Sequence, residues 1–570
     1  MPPFSPTLRR LLTGLILALP ALFFLLFYFY PLGIILGQGL APGGRPDLTA
    51  FGELFRSGRF WRVLWFTTWQ AAVSTLLTLL LAFPGAYVLS RYRFRGKTAV
   101  RTLATLPFVL PTVVVATAFV ALIGPQGVLN NWLADLFNLE SGPIRLSQTV
   151  WIILIAHVFY NYSVALLLLG AYWQNLGPAL SQAAQLLGAS PWRAFREVTL
   201  PLLAPAIMAA AVLIFIFCFT SFGVIVILGG PRFATLEVEI YRQALNLFNL
   251  PAAAALALWQ IVFTFILMRF YTRTQARLTR PMPTGPRRAI ERPVATTRQK
   301  VLVYGNVAAI VILIGGPLLA LVARSFRGAA GPTTAFYRAL FANVDNSLFY
   351  VPPARAIANS VLIALAAMLL AVTLGLISAQ LLAGLERRGP ATAWVPRLAR
   401  LLDPVLMLPL ATSAVTLGLG YLIAFGRPPL NLRASIIILP IAHAVVAIPF
   451  VMRSVLPGFR GIRPSWREAA AVLGAGGWRV WREVDWPLIR RPLLVGALFA
   501  FTISLGEFGA TVFLARPETP TLPVAIFRFL GRPGALNFGQ ALAMSVLLML
   551  VCAVAFAAIE RLRDGNETGF

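Results

Sequence analysis

Long apolar runs, separated by short polar or basic connections, recur from one end of this chain to the other. Runs at about 11–36, 63–89, 99–123, 148–170, 202–229, 251–272, 301–323, 357–384, 401–425, 433–456, 489–514 and 536–560 predict twelve membrane helices. Each reaches roughly the ~20 residues that a helix needs to cross ~30 Å of hydrocarbon. The first run follows Arg9 and Arg10, is too long for a signal-peptide core and has no small-residue cleavage site before Pro42, so it reads as a retained anchor. Pro20, Pro31, Pro84 and Pro111 fall inside runs, which neighbouring helices in a bilayer can accommodate.

Composition agrees with the pattern and narrows the function. Of 570 residues 59% are hydrophobic and 12% charged, about half the charge of a soluble domain, which excludes soluble enzymes and fibrous folds. The net charge of +29 would suggest nucleic acid in a soluble protein, but the basic residues lie mainly in short loops. With the N-terminus inside, 31 of the 48 Lys and Arg fall on the inner side, so the positive-inside bias places both termini in the cytoplasm and argues against nucleic acid. Cys218 and Cys552 lie in apolar segments, which leaves neither a disulfide framework nor a metal knuckle. The Pro-rich basic stretch 273–300 reads as a cytoplasmic linker between a first half, 1–272, and a second, 301–570; its charge also suits anionic lipid.

The two halves repeat at a constant offset of 286. SQAAQLLGASPWRAFREVTLPLL, with Gln182, Ala183, Ala184, Gly188, Trp192, Arg193, Arg196 and Pro201, aligns without a gap on REAAAVLGAGGWRVWREVDWPLI, with Glu468, Ala469, Ala470, Gly474, Trp478, Arg479, Arg482 and Pro487. The only two histidines, His157 and His443, fall in register, as do Phe222-Gly223 with Phe508-Gly509 and Pro231 with Pro517. Six spans per half is an even number, so the halves share an orientation and are related about an axis along the membrane normal. Both repeated loops then face the cytoplasm, as equivalent surfaces for a dimeric partner. Within each, an Ala-rich helix would end at a left-handed Gly, and Ser190-Pro191 would start a second short helix bearing Trp192, Arg193 and Arg196, residue types that dominate interfaces.

These loops resemble the signature of the membrane subunits of type I binding-protein-dependent ABC importers: E-A-A, three residues, G, nine residues, then an aliphatic residue two before L-P. The second copy departs where Trp486 replaces Leu, the first where Gln182 replaces Glu. Two such loops in one chain resemble the fused permeases of the thiamine and ferric-iron branches, and segment 504–526 is similar to thiamine, iron, sulfate and molybdate permeases together. The resemblance implies an all-α polytopic permease of the bacterial inner membrane. It would dock two copies of an ATP-binding subunit at 181–201 and 467–487 and an extracytoplasmic substrate-binding protein on the other face. It would move a small solute by alternating access, with thiamine the first choice, ferric iron next and a sulfate- or molybdate-type anion after that. It would bind no cofactor or metal itself and catalyse nothing, ATP being held by the partner subunits; no G-x-x-x-x-G-K-[ST] occurs in the chain.

Polar groups inside spans are candidates for the path. Glu507 stands where the first half has Ser221, and two readings stand open: a carboxylate that meets a cationic substrate, or one bonded to helix ends or an arginine. His157 and His443, with Tyr160 and Asn161 beside the first, are expected to bond backbone groups of neighbouring helices, since a metal site needs at least three ligands. A major-facilitator secondary transporter is the rival class, but the loop after the second span reads SRYRFRGKTAV, not the Gly-Asp-Arg-Gly-Arg type expected there.

Overall fold

The computed structural model describes residues 18–564 apart from 177–178, 231, 279–290, 329–330, 343–351, 388–393, 427 and 429–430. Arg9, Arg10, Pro231 and residues 279–290 of the expected linker therefore lie outside the described residues. Eleven helices are long and apolar enough to span a membrane, and a bent pair makes a twelfth. In chain order they are α1 (Ala18–Leu40), α2 (Gly58–Arg91), α3 (Thr112–Phe137), α4 (Val150–Gln174), α5 (Pro191–Phe219), α6 (Leu250–Arg273), α7 (Thr297–Ser325), α8 (Pro353–Glu386), α9 (Leu402–Leu410 with Ala414–Ala424), α10 (Ile438–Gly461), α11 (Gly477–Gly506) and α12 (Ala535–Leu562).

Four expected runs are divided where apolarity alone shows no boundary. The run 99–123 splits into a short helix, Lys97–Thr105, and α3, which begins only at Thr112. Pro107 and Pro111 between them lack the N–H groups that would carry the helix on, and Pro111 stands before α3, not within it. In the second half the corresponding run bends by 94° within α9. The runs 202–229 and 489–514 end early, at Phe219 and Gly506, and resume as short helices Gly223–Leu228 and Thr511–Leu514. Glu507 is thus not inside a span but at the break that ends α11.

At their other ends α5 and α11 start earlier than the apolar runs. The second short helix of each loop runs into the span through a single π-turn, at Phe195–Thr199 and Trp481–Asp485. The same device recurs in α1 at Leu25–Phe29 and in α7 at Val311–Gly315, again 286 apart. In all four cases a proline sits six residues after the turn begins: Pro31, Pro201, Pro317 and Pro487. Its ring crowds the carbonyl four residues back and it offers no N–H; widening one turn absorbs the conflict without a break.

The core of each half is a triple packing, α2 with α4 and α5, and α8 with α10 and α11. The first span of each half is exchanged. α1 packs on α6 and on α9 of the other half, while α7 packs on α12 and on α3 of the other half. Tyr28 on α1 bonds Thr412 at 2.6 Å, and Tyr421 on α9 donates to the Phe27 carbonyl at 2.7 Å. Gly420 makes the close approach possible, since a Cβ there would meet Pro31 and Ile35 at 3.1 Å.

Candidate functional site

The repeated loops form two matched exposed turns. Helices Ala179–Leu186 and Pro464–Val472 end at Gly188 and Gly474, with φ of +90° and +82°. Each is closed by an N–H to carbonyl bond reaching five residues back, Ala189 to Ala184 and Ala475 to Ala470, both 3.0 Å, the pattern that satisfies orphan carbonyls at a helix end. Ser190 caps the next helix by accepting from the Arg193 N–H. Trp192 stacks on Phe195 and Trp478 on Trp481, at 5.5 and 5.0 Å between ring centres. Arg193 pairs with Glu197 and Arg479 with Glu483, each at 3.1 Å. Trp192 and Trp478 remain 69% exposed, and Leu186, Leu187, Val472 and Leu473 project more openly still. Apolar groups so displayed on both turns mark a surface for a partner.

A cavity of about 350 Å³ lies where the halves meet, within the ~300–1,000 Å³ range of small-molecule sites. Its wall is made by the breaks themselves: Thr220 to Gly223 after α5, Gly506 to Gly509 after α11, Phe108 to Thr112 before α3, and Ser413 to Val415 at the bend of α9. Phe222 and Phe508, equivalent in the repeat, stack across the junction at 5.4 Å with 25° between their planes. Gly223 allows this, because a Cβ there would collide with the Thr112 hydroxyl and stand 3.3 Å from Phe508. Phe108, Phe217, Phe450 and Phe499 complete an aromatic lining that holds no Lys or Arg among the described residues.

Residues 75–280 match the family described as binding-protein-dependent transport system inner membrane component. The chain is also similar, nearly end to end, to proteins named thiamine transport system permease protein ThiP. That of Brucella abortus (strain 2308) is 28% identical over 94% of this chain and 94% of its own. The Haemophilus influenzae protein is 29% identical over 96% and 95%, and the Escherichia coli (strain K12) protein 29% over 90% and 91%. Together these matches make the chain similar, nearly end to end, to fused membrane permeases of ABC importers. The rival secondary-transporter class falls with that finding. A solved bacterial alginate ABC transporter aligns with 49% of the permease at 24% identity and a TM-score of 0.41.

The path candidates of the permease do not behave alike. His157, Tyr160, Asn161, Ser221 and Glu507 line the cavity, whereas His443 lies behind its wall. His157 bonds Ser74 at 3.1 Å and Ser221 at 2.9 Å. His443 bonds Ser504 and Thr511, both at 2.8 Å, and stands 3.3 Å from Glu507. Both rings therefore bond side chains and not the backbone groups anticipated, because the hydroxyls on the facing helices reach them first. Glu507 accepts from the Ala510 N–H at 2.8 Å, from the Thr511 N–H at 2.9 Å and from the Thr511 hydroxyl. Both of its oxygens are bonded by its own turn, the arrangement expected of a carboxylate that holds the break in shape. Tyr160 donates to the Leu110 carbonyl, and Asn161 donates to the His157 carbonyl at 3.0 Å with its own oxygen unpartnered. Sequence reasoning aligned Phe222 with Phe508 but did not place the pair at a cavity; the helix breaks that bring the two rings together leave no mark in the apolar pattern.

Proposed function

We propose that this permease imports a small aromatic organic cation of the thiamine class, received from an extracytoplasmic binding protein. The observation that carries the reading is the cavity wall: six phenylalanines and a tyrosine, with no Lys or Arg among the described lining residues. Aromatic faces attract cations and stack on flat rings. A sulfate- or molybdate-type anion would be held best by Lys or Arg, and none is among the described lining residues. Ferric iron would want several hard ligands, and among the described residues no group of three His, Cys, Asp or Glu is placed to hold a metal. The names of the near-full-length relatives support the same substrate.

In this reading residues 1–272 and 301–570 are the two halves, both termini are cytoplasmic, and the chain binds no cofactor of its own. Two ATP-binding subunits engage the turns at 181–201 and 467–487. There Gln182 or Glu468, the alanine pairs 183–184 and 469–470, the left-handed glycines, Trp192 or Trp478 and the arginines 193, 196, 479 and 482 form the contact, while Pro201 and Pro487 shape the π-turn that carries motion into α5 and α11. Closure of the ATPase pair must favour the outward-open state by about 5.5 kcal/mol for a reversal from 1:99 to 99:1. The test is uptake by proteoliposomes holding the permease, its ATP-binding subunits and its binding protein. ATP-dependent accumulation of thiamine is expected; accumulation of ferric iron or an oxyanion in its place would overturn the substrate reading.

A further inference from the structure

One carboxylate near the cavity is fully buried and has no cation beside it. Glu237 lies on the short helix Leu236–Tyr241 that follows the α5 break. That helix is pinned over the break: the Thr235 hydroxyl donates to the Ser221 carbonyl at 3.3 Å, and the Leu236 N–H donates to Thr67 on α2 at 3.1 Å. Tyr241 packs on Phe222 at 5.4 Å and on Phe513 at 5.9 Å, so the helix roofs the aromatic pair that closes the cavity.

Around Glu237 the donors and acceptors do not balance. One of its oxygens accepts from the Gln260 amide on α6, and the carboxylate faces the Ser413 hydroxyl at the bend of α9. Its Oε2 has no hydrogen-bond partner, nor have the Gln260 oxygen, the Thr264 hydroxyl on α6 or the Thr416 hydroxyl on α9, all of them buried. Among the described residues no Arg, Lys or His pairs with Glu237. Buried charge and unmet acceptors are costly, and a structural requirement of the repeat would apply to both halves. It does not: Pro523 stands at the position of Glu237, Val546 at that of Gln260, and Pro111 precedes α3 where Ser413 precedes the second part of α9. Ser413 also lines the cavity, so the side chain that faces Glu237 is part of the cavity wall.

We propose that Glu237, with the Gln260 oxygen and the Ser413 hydroxyl, forms a cation-binding station on the extracytoplasmic side of the cavity, shut in this conformation and opened when α9 moves off the Leu236–Tyr241 helix. The station rests on the organic-cation reading for its ligand but not for its opening. Its first test is therefore independent of substrate: a Glu237→Cys variant, in a background with Cys218→Ala and Cys552→Ala, treated from outside with a cationic methanethiosulfonate reagent. In the complete complex, modification is expected in the ATP–vanadate-trapped state and absent without nucleotide. No modification in either state, or equal modification in both, overturns the station.

The second test measures thiamine uptake by proteoliposomes of the full complex. Glu237→Gln keeps shape while removing charge, and is expected to raise the KM for the cation about tenfold or more, as loss of a desolvated charge partner does, with ATP hydrolysis stimulated by the binding protein retained. An unchanged KM in a variant of normal thermal stability overturns it. Absence of thiamine uptake by the unaltered complex would instead overturn the substrate reading, and the labelling result would still decide whether Glu237 opens to the outside. If Glu237→Gln fails to assemble, Ser413→Ala supplies the uptake measurement.

Discussion

Glu507 reads as a candidate ligand in sequence, and its bonds in the structure are those of a scaffold. Three donors of its own turn, the Ala510 and Thr511 N–H groups and the Thr511 hydroxyl, converge on its carboxylate. Glutamine there can present only one oxygen and would turn an N–H₂ toward a donor, so Glu507→Gln should cost about 1–3 kcal/mol, the range for a buried group left unpaired. The expected result is a lower melting temperature of the purified permease with uptake per folded complex within about twofold of normal, set against the tenfold KM effect expected at Glu237. Reduced uptake at full stability would return Glu507 to the path. Gly188 and Gly474 are the converse case, where sequence foretold conformation. Both take positive φ with no atom within 4 Å of an added Cβ, so Gly474→Val has no clash to relieve and meets only the left-handed backbone penalty, about 1–2 kcal/mol. The double Val variant should fold in the membrane yet lose coupling, seen as ATP hydrolysis without uptake; normal uptake would remove the turns from the coupling route.

At the scale of elements, what was legible followed from periodicity and repetition, and what was not followed from backbone chemistry that apolarity does not record. The long spans could be read because a run of twenty apolar residues is too costly to leave in water, and the two exposed helix-Gly-helix turns because a pattern repeated in register does not arise by accident. The breaks at Thr220 to Phe222 and at Glu507 could not, because Phe, Gly and Val continue the apolar run across them and only tertiary contacts decide where the helix stops. Glu237 escaped for a related reason: it sits outside every apolar run, and folding alone brings it beside Gln260 and Ser413. The two docking turns also differ in bracing. Arg467, at the start of one helix, pairs at 2.7 Å with the nearly buried Asp485 in the π-turn, where the first half has Ser181 and Thr199. Asp485→Asn should therefore loosen the second turn alone, since removing one partner of a buried pair leaves the other uncompensated. Native mass spectrometry is expected to find complexes keeping one ATP-binding subunit in place of two, while Thr199→Ala leaves both. Equal loss from the two variants would contradict a braced second turn.

Across the whole molecule the repeat builds two halves that cannot be completed separately. α1 is held between α6 and α9, and α7 between α12 and α3, with the Tyr28–Thr412 and Tyr421–Phe27 bonds on one side and the Arg324 guanidinium on the Gln126 side-chain oxygen at 3.4 Å on the other. Fusion also leaves a local trace: Tyr92-Arg93 after α2 pairs in parallel with Arg292-Pro293, and Lys97 pairs with Glu291 at 2.8 Å, so the end of the linker is fastened to the first half. These contacts depend on proximity of the halves and not on covalent continuity between residues 279 and 290. A chain divided after residue 285 and coexpressed as two pieces should therefore co-purify and restore uptake, because each exchanged span finds its seat on the other piece. Either piece alone should be degraded or aggregate, since it would expose the faces of α3 or α9 that the exchanged span covers. Alanine at Gly420 gives the control in the divided protein: its added Cβ presses on Pro31 and Ile35 at 3.1 Å, and the pieces should then separate more readily in detergent. Independent stability of the first piece, with α1 resistant to proteolysis in the absence of the second, would mean that α1 belongs to its own half and that the exchange does not hold the permease together.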